Sequence, residues 1–303
     1  MMLTGTHVAF LGGDARHLEV IEQLTEKDAS VTLVGYDQLQ HQISGVKKAE
    51  LTPELIASTD VLILPTVVHE DGKIDAVFSS EETYLTEKMI SQLPAHAIVF
   101  TGIAKPFLKS WCAKHQIEMI ELFERDDVAI YNSIPTAEGA VMMAIEHTDF
   151  TIHGSKSMVL GLGRTGLTMA RALRGRGAEV AVGVRRSEHA ARAVEMGFKP
   201  VYVHKLDRHV REIDLLFNTI PTMIVTAKVI ANLPHHAVII DLASKPGGTD
   251  FRFAERRGVK ALLAPGLPGI VAPKTAGRII ANSIIQILSE KTGEMGDNNE
   301  LEG

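Results

Sequence analysis

Gly161, Gly163 and Gly166 stand in "SMVLGLGRTGLTMARALRG", where an apolar strand-like run gives way to an amphipathic helical one. In that setting the G-x-G-x-x-G spacing is a dinucleotide-binding pattern. The first glycine permits a tight turn, the second lets backbone approach a pyrophosphate, and the third lets helix and strand pack closely. The anion then meets free N–H groups at a helix N-terminus, which puts Arg164 and Thr165 in the phosphate loop. The next strand-like run, "EVAVGV", ends at Arg185, Arg186 and Ser187. An NAD site usually carries Asp or Glu there, to accept from the ribose 2′-hydroxyl. A carboxylate would repel a 2′-phosphate, whereas guanidinium forks bind one, so the pair points to NADP(H). The same residues also read as two solvated arginines with Ser187 capping the next helix.

Other candidates sit where strand-like runs end. "FNTIPT" sets Asn218, Thr219 and Pro221 along the adenosine-to-nicotinamide path, and "IIDLASKPGG" sets Asp241, Leu242 and Ala243 near the nicotinamide end. In the first half, "LGGDARH" has Arg16 in place of the third glycine, which removes the close helix–strand packing and argues against a second dinucleotide. Gly13, Arg16 and a helix N-terminus would still suit a small anion, such as a carboxylate-bearing substrate. Lys105 in "TGIAKP" and Lys245 in "LASKP" fall at carboxyl ends of strands, where open α/β sheets bind ligands. Lys274 lies where the Pro/Gly-rich loop "APGLPGIVAPKTAG" enters the last helix. Each lysine taken alone also reads as a surface charge.

These positions depend on elements that alternate along the chain. The runs "HVAFLG", "SVTLVG", "DVLILP", "AIVFTG" and "IEMIEL" are followed by "SMVLGL", "EVAVGV", "DLLFNT", "AVIIDL" and "VKALLA". Runs apolar on both faces and separated by helical patterns predict parallel sheets covered on both sides. The halves also echo each other, "ISQLPAHAIVFTGIAKPF" against "IANLPHHAVIIDLASKPG". The expected fold is α/β, two tandem Rossmann-like doubly wound parallel-sheet domains with an interdomain cleft. Residues 1–134 form the substrate-side domain and 135–272 the NADP-binding domain. Helix 273–291 is expected to pack back on the first, and 292–303 to be a disordered tail. A helix is predicted to start at Thr136, with Glu138 in its first turn and an apolar face at Val141, Met142 and Ile145.

Composition excludes several classes. With 303 residues and 45% hydrophobic, the chain can bury a large core; its net charge of −6 argues against nucleic acid and anionic membranes. No apolar run approaches the roughly 20 residues of a membrane span, and the N-terminus has no leader pattern, so a soluble protein of a reducing compartment is expected. The single Cys112 permits no internal disulfide and reads as a buried hydrophobe. No metal-ligand spacing and no nucleophile elbow occur, so no metal is expected.

Taken together, "GGDAR", "IPTAEGA", "GLGRTG", "DLASKPGGTDF" and "APGLPGIVAPKTAG" resemble the dipicolinate synthase A-subunit family of spore-forming bacteria, from about residue 5 to 290. The resemblance implies oxidation of dihydrodipicolinate to dipicolinate (pyridine-2,6-dicarboxylate) with a pyridine nucleotide. It implies the mother cell during sporulation and, as partner, a flavoprotein-like B subunit; a homo-oligomer is also expected. More distantly, the plan resembles formate/glycerate-type dehydrogenases and adenosylhomocysteine hydrolase, whose substrates sit between two domains. The family hands over no catalytic residues. Because the product ring is aromatic, orientation and charge pairing matter more than strong acid–base groups. Lys105 and Lys274 are therefore the first catalytic candidates, with Gly13, Arg16, Thr136 and Lys245 beside them. Two other functions fit the residues: an NADP(H)-binding regulatory subunit without turnover, and a 2-hydroxyacid-type dehydrogenase. The latter wants a histidine after the cofactor strands, and none follows "ASKPGG".

Overall fold

The computed structural model describes residues 2–40 and 43–291; the expected tail, 292–303, lies outside the described residues. Two compact units are present. One holds residues up to Val128 with the helix that starts at Pro273, the other Ala129–Ala272. The first begins β1 (His7–Leu11), α1 (Ala15–Glu26), β2 (Ser30–Val34), β3 (Val46–Lys48), α2 (Pro53–Ala57) and β4 (Val61–Ile63). A small antiparallel pair follows, β5 (Lys73–Ile74) and β6 (Thr83–Tyr84), then α3 (Glu87–Ile90), β7 (Ile98–Thr101), α4 (Pro106–Lys114) and β8 (Glu118–Glu121). Helix α5 (Asp126–His147) leads into β9 (Lys156–Leu160), α6 (Arg164–Gly175), β10 (Glu179–Val184), α7 (Ser187–Glu195) and β11 (Lys199–Tyr202). The second unit ends with α8 (Leu206–His209), β12 (Leu215–Asn218), α9 (Ala227–Ile230), β13 (Val238–Asp241), α10 (Phe251–Arg257), β14 (Lys260–Leu263) and α11 (Leu267–Val271). The last helix, α12 (Pro273–Lys291), belongs to the first unit.

Each unit is a six-stranded parallel sheet, in the orders β3-β2-β1-β4-β7-β8 and β11-β10-β9-β12-β13-β14. Counted within each sheet, this is the 3-2-1-4-5-6 order of doubly wound nucleotide-binding folds. All ten expected strands are present. Within the two parallel sheets, the strands that apolar runs did not reveal are β3 and β11, both edge strands with little to bury. Pro200 inside β11 fits an edge, where one side of the strand needs no ladder hydrogen bond.

Both sheets are tied at the amino ends of their strands by the same device. Asp60 accepts from the His7 N–H at 2.8 Å and from the His96 ring at 2.7 Å. Asp214 accepts from the Lys156 N–H at 2.7 Å and the His236 ring at 2.8 Å. The echoed strings "STDVL…PAHAI" and "EIDLL…PHHAV" thus encode one repeated tie.

One helix differs from expectation in both its start and its apolar face. The helix predicted from Thr136 begins ten residues earlier, at Asp126. Asp126 and Asp127 stand in its first turn, where negative charge suits the helix dipole. Pro135 lies inside it, and the Thr136 hydroxyl donates to the Asn132 carbonyl instead of capping an end. The predicted apolar face also divides. Val141 is buried with Ala137, Ala140 and Ala144, whereas Met142 and Ile145 are exposed. The division between the units consequently falls inside α5, at Val128/Ala129.

α12 completes the core of the first unit with Ile280, Ala281, Ile284, Ile287 and Leu288. It approaches α1 so closely that a Cβ on Gly277 would lie 2.2 Å from the Arg16 carbonyl oxygen.

The tie at Asp60 predicts a pH signature. Burial opposes its ionisation, but the His7 N–H and the His96 ring outweigh that and hold the carboxyl below its ordinary value. A depressed folded-state value stabilises above the unfolded value near 4, and the effect is lost as pH falls through the folded value. Asp60→Asn should therefore lower the unfolding midpoint at pH 7, and the gap to wild type should narrow at about pH 3. Urea titrations at the two pH values measure it; an unchanged gap would give the tie no electrostatic content.

Candidate active site

In the second unit, Gly161 follows β9 with φ +100°, a conformation that side chains rarely adopt. A Cβ there would stand 2.5 Å from the Thr219 hydroxyl, which itself donates to the Leu160 carbonyl. A Cβ on Gly166 would stand 2.3 Å from the Gly161 carbonyl oxygen. Gly163 differs from both. It is the N-cap of α6, offers no side-chain cap, and a Cβ built on it meets nothing within 4 Å. Two glycines are required by protein packing and the middle one by open space in front of the helix N-terminus. That is the cradle a pyrophosphate needs, so the residues present fit a dinucleotide. Arg164 and Thr165 open the helix beside it.

β10 ends at Val184, and Arg185, Arg186 and Ser187 follow it, all exposed. Arg186 is the N-cap of α7 and Ser187 its first residue, so Ser187 does not cap that helix. The Arg186 guanidinium is 3.1 Å from Glu188 and donates to the His189 ring at 2.9 Å.

Two of the expected cofactor ligands have another role. Asn218 and Asp241 are fully buried. The Asp241 carboxylate accepts from Asn218 Nδ2 at 3.0 Å, Ala243 N–H at 3.1 Å, Gly248 N–H at 2.8 Å and the Thr249 hydroxyl at 2.6 Å. A buried carboxylate needs such donors, and these four spend it on the protein itself. Asp241 therefore pins the loop 242–249, which presents Lys245 exposed, and Asn218 braces the pin. Thr219, Pro221, Leu242 and Ala243 keep backbone at the same edge.

The first unit corrects the expected anion pocket. Its glycine loop is already filled by the protein's own groups. Gly13 N–H donates to the Asp75 carbonyl at 2.8 Å, and Val77 N–H donates to the Gly13 carbonyl at 3.0 Å. This segment crosses where a dinucleotide would run: a Cβ on Gly12 would be 2.6 Å from the Asp75 carbonyl oxygen. The helix N-terminus is capped by Asp14, and Arg16 forks onto that same carboxylate, with Nε at 2.9 Å. Burial disfavours the charge on Asp14, yet His17 and Arg16 hold its carboxyl far below the usual range. Arg16 Nη2 also donates to Thr66 at 2.6 Å. Arg16 thus serves an internal anion, because Asp14 supplies locally the carboxylate expected from a substrate, while Gly13 spends both main-chain groups on the 75–77 segment. Thr136 is likewise spent inside α5.

The remaining cations of the first unit are less committed. Lys105 caps α4 without a side-chain bond, its Nζ 4.0 Å from Glu70. Lys274, in the first turn of α12, is exposed and 3.8 Å from the buried Glu19, which Arg278 also reaches at 3.2 Å. A cavity of about 800 Å³ opens beside the end of β2. Its lining carries Asp37, Glu50, Glu81 and Glu82 against Lys48, the wrong sign for a dicarboxylate.

Two stretches of the chain match different family models. Residues 7–123 match the family model of the dipicolinate synthase A-subunit N-terminal domain. Residues 132–299 match "Alanine dehydrogenase/PNT, C-terminal domain", a domain family that binds nicotinamide cofactors. The dipicolinate synthase A subunit of Bacillus subtilis (strain 168) is 50% identical over 97% of this chain and 100% of that protein. The chain belongs to the dipicolinate synthase A-subunit family. The crystal structure of the Bacillus halodurans A subunit superposes with a TM-score of 0.92 at 51% identity, covering 95% of this chain and 99% of that one. A transhydrogenase from Sinorhizobium meliloti, 18% identical with a TM-score of 0.69 over 95% and 94% of the two chains, shares the fold. The family's name implies that a second kind of subunit completes the synthase. Among the described residues no helix is long and apolar enough to cross a membrane, and no three metal-ligating side chains converge.

The glycine geometry separates two substitutions. Gly163→Val should abolish dinucleotide binding while shifting Tm by no more than about 2–4 °C, since its side chain enters open space. Gly166→Ala should lower Tm by more than that, because its Cβ meets backbone. Calorimetric titration and thermal unfolding of both variants check the contrast.

Proposed function

We propose that the chain is an NADP-dependent oxidoreductase that converts dihydrodipicolinate to dipicolinate, as the A subunit of a dipicolinate synthase. Its setting would be the cytoplasm of the mother cell in a sporulating bacterium, and its partner a flavoprotein-like B subunit. The observation that carries the reading is the pair of exposed guanidiniums at the end of β10, beside an open glycine cradle. No acid occupies the two positions after the strand, so nothing there selects a free 2′-hydroxyl.

The bound nicotinamide would supply the hydride acceptor. The chain's own groups supply position. N–H groups of the first turn of α6 hold the pyrophosphate, and Arg185, Arg186 and Ser187 hold the 2′-phosphate. The Asp241 pin fixes the loop that carries Lys245. Lys105, Lys274 and Lys245 provide charge for a substrate with two carboxylates. Loss of a hydride and a proton leaves an aromatic ring, so the proton can pass to water without a strong base. Orientation then supplies most of the acceleration.

Arg185→Ala should weaken NADP(H) binding about 10- to 100-fold and NAD(H) binding far less, since a charge-assisted hydrogen bond contributes roughly 1.5–3 kcal/mol. Equal losses for both cofactors in parallel titrations would remove the 2′-phosphate from the argument. Lys105→Met and Lys274→Met should each lower kcat/KM for dihydrodipicolinate about tenfold or more, with NADP(H) affinity nearly unchanged. Steady-state kinetics with and without the B subunit tests this. Wild-type turnover in both variants would leave the lysines as surface charges.

A further inference from the structure

Among the described residues, one buried side-chain oxygen or nitrogen has no hydrogen-bond partner: Oδ1 of Asn132, in α5. A shielded acceptor left unmade costs free energy, so its retention calls for a donor from elsewhere. Neighbouring hydroxyls do not meet the need. Ser133 donates to the Ile130 carbonyl and shares a 2.6 Å bond with Thr168 of α6, and Thr136 is spent on the Asn132 backbone carbonyl.

The packing of α5 locates this atom. On one side Ser133 touches Thr168, whose hydroxyl reaches the Arg164 carbonyl in the first turn of α6. On the other, a Cβ on Gly139 would lie 3.0 Å from Leu267 of α11, the helix that follows β14. α5 therefore runs along the β12–β14 side of β9, opposite the arginines that end β10. Asn132, Thr136 and Gly139, spaced i, i+4 and i+7, share the face that turns from α6 toward α11. Ser133 meets the second turn of α6, so Asn132 lies at the level of the glycine loop. A dinucleotide with its 2′-phosphate at β10 and its pyrophosphate at β9 extends its nicotinamide across this half of the edge.

We propose that Asn132 Oδ1 accepts a hydrogen bond from the carboxamide N–H of the nicotinamide bound in the second unit. The carboxamide is the one group of the nicotinamide ring that carries N–H donors. A neutral amide acceptor suits a buried place beside a ring whose charge changes in the reaction. The inference rests on the reading of the second unit as a nicotinamide dinucleotide site.

The test compares ligands by calorimetric titration of the full chain: whichever of NAD⁺ and NADP⁺ binds tighter, its 3-acetylpyridine analogue, which lacks the N–H donors, and ADP-ribose. Wild type should prefer the carboxamide form about tenfold. Asn132→Ala should erase the preference by weakening the carboxamide form alone. Asn132→Asp, which keeps an acceptor, should restore it. ADP-ribose should bind all three proteins alike, which also certifies their folding. Equal wild-type affinities for carboxamide and acetylpyridine forms, or a preference that survives in Asn132→Ala, would overturn the proposal. If wild type binds ADP-ribose but neither nicotinamide form, the cofactor reading itself falls, and this inference with it.

Discussion

Backbone meets backbone where β9 turns into α6, and the rest of the second unit's carboxyl edge is placed by that contact. With Gly166 against the Gly161 carbonyl, no layer of side chains separates helix from strand. The first N–H groups of α6 are thereby aimed across the sheet edge at a short, fixed distance. Thr219 locks the same turn from the neighbouring strand by donating to Leu160. From there order passes to β12 and β13, whose end residues Asn218 and Asp241 hold the next loop down. A ligand laid on this edge meets a surface built mainly of main chain, which has little rotamer entropy to lose.

The first unit shows what the same plan becomes without that contact. Its strand order is identical, and its amino-end tie at Asp60 matches the one at Asp214. The difference is confined to the loops. His17, not Arg16, takes the third glycine's place as the third residue of its helix, Asp14 occupies the helix N-terminus, and the stretch through Asp75 and Val77 lies across the turn. Divergence at loops over a kept scaffold is how related sheets come to hold different ligands.

Much of this was legible in the chain. Apolar runs marked ten strands because parallel strands bury both faces, and the glycine spacing marked its cradle because each glycine answers a separate steric demand. The edge strands β3 and β11 were not legible, since one is the three-residue "VKK" and the other, "KPVY", has a lysine and a proline in place of an apolar run. The start of α5 was hidden by Pro135, which reads locally as a helix start and here sits within one. Burial of Asn218 and Asp241 could not be read from strand-end position. Position tells where a side chain begins, while its direction depends on donors such as Gly248 and Thr249, contributed from further along the chain. The self-filled loop of the first unit was equally hidden, because Asp75 is 62 residues from Gly13. Asn132 gave no local signal, since an amide within a helix is ordinary until its surroundings are known.

The return of α12 to the first unit has a consequence for biosynthesis. The second unit is one unbroken stretch of chain, whereas the first is assembled from two segments that flank it. During translation the second unit can therefore finish while the first still lacks Ile280, Ile284 and Ile287. The half synthesised first matures last. Until α12 emerges, the nascent chain carries an open apolar flank on α1, and that interval is when it most needs shielding from other chains.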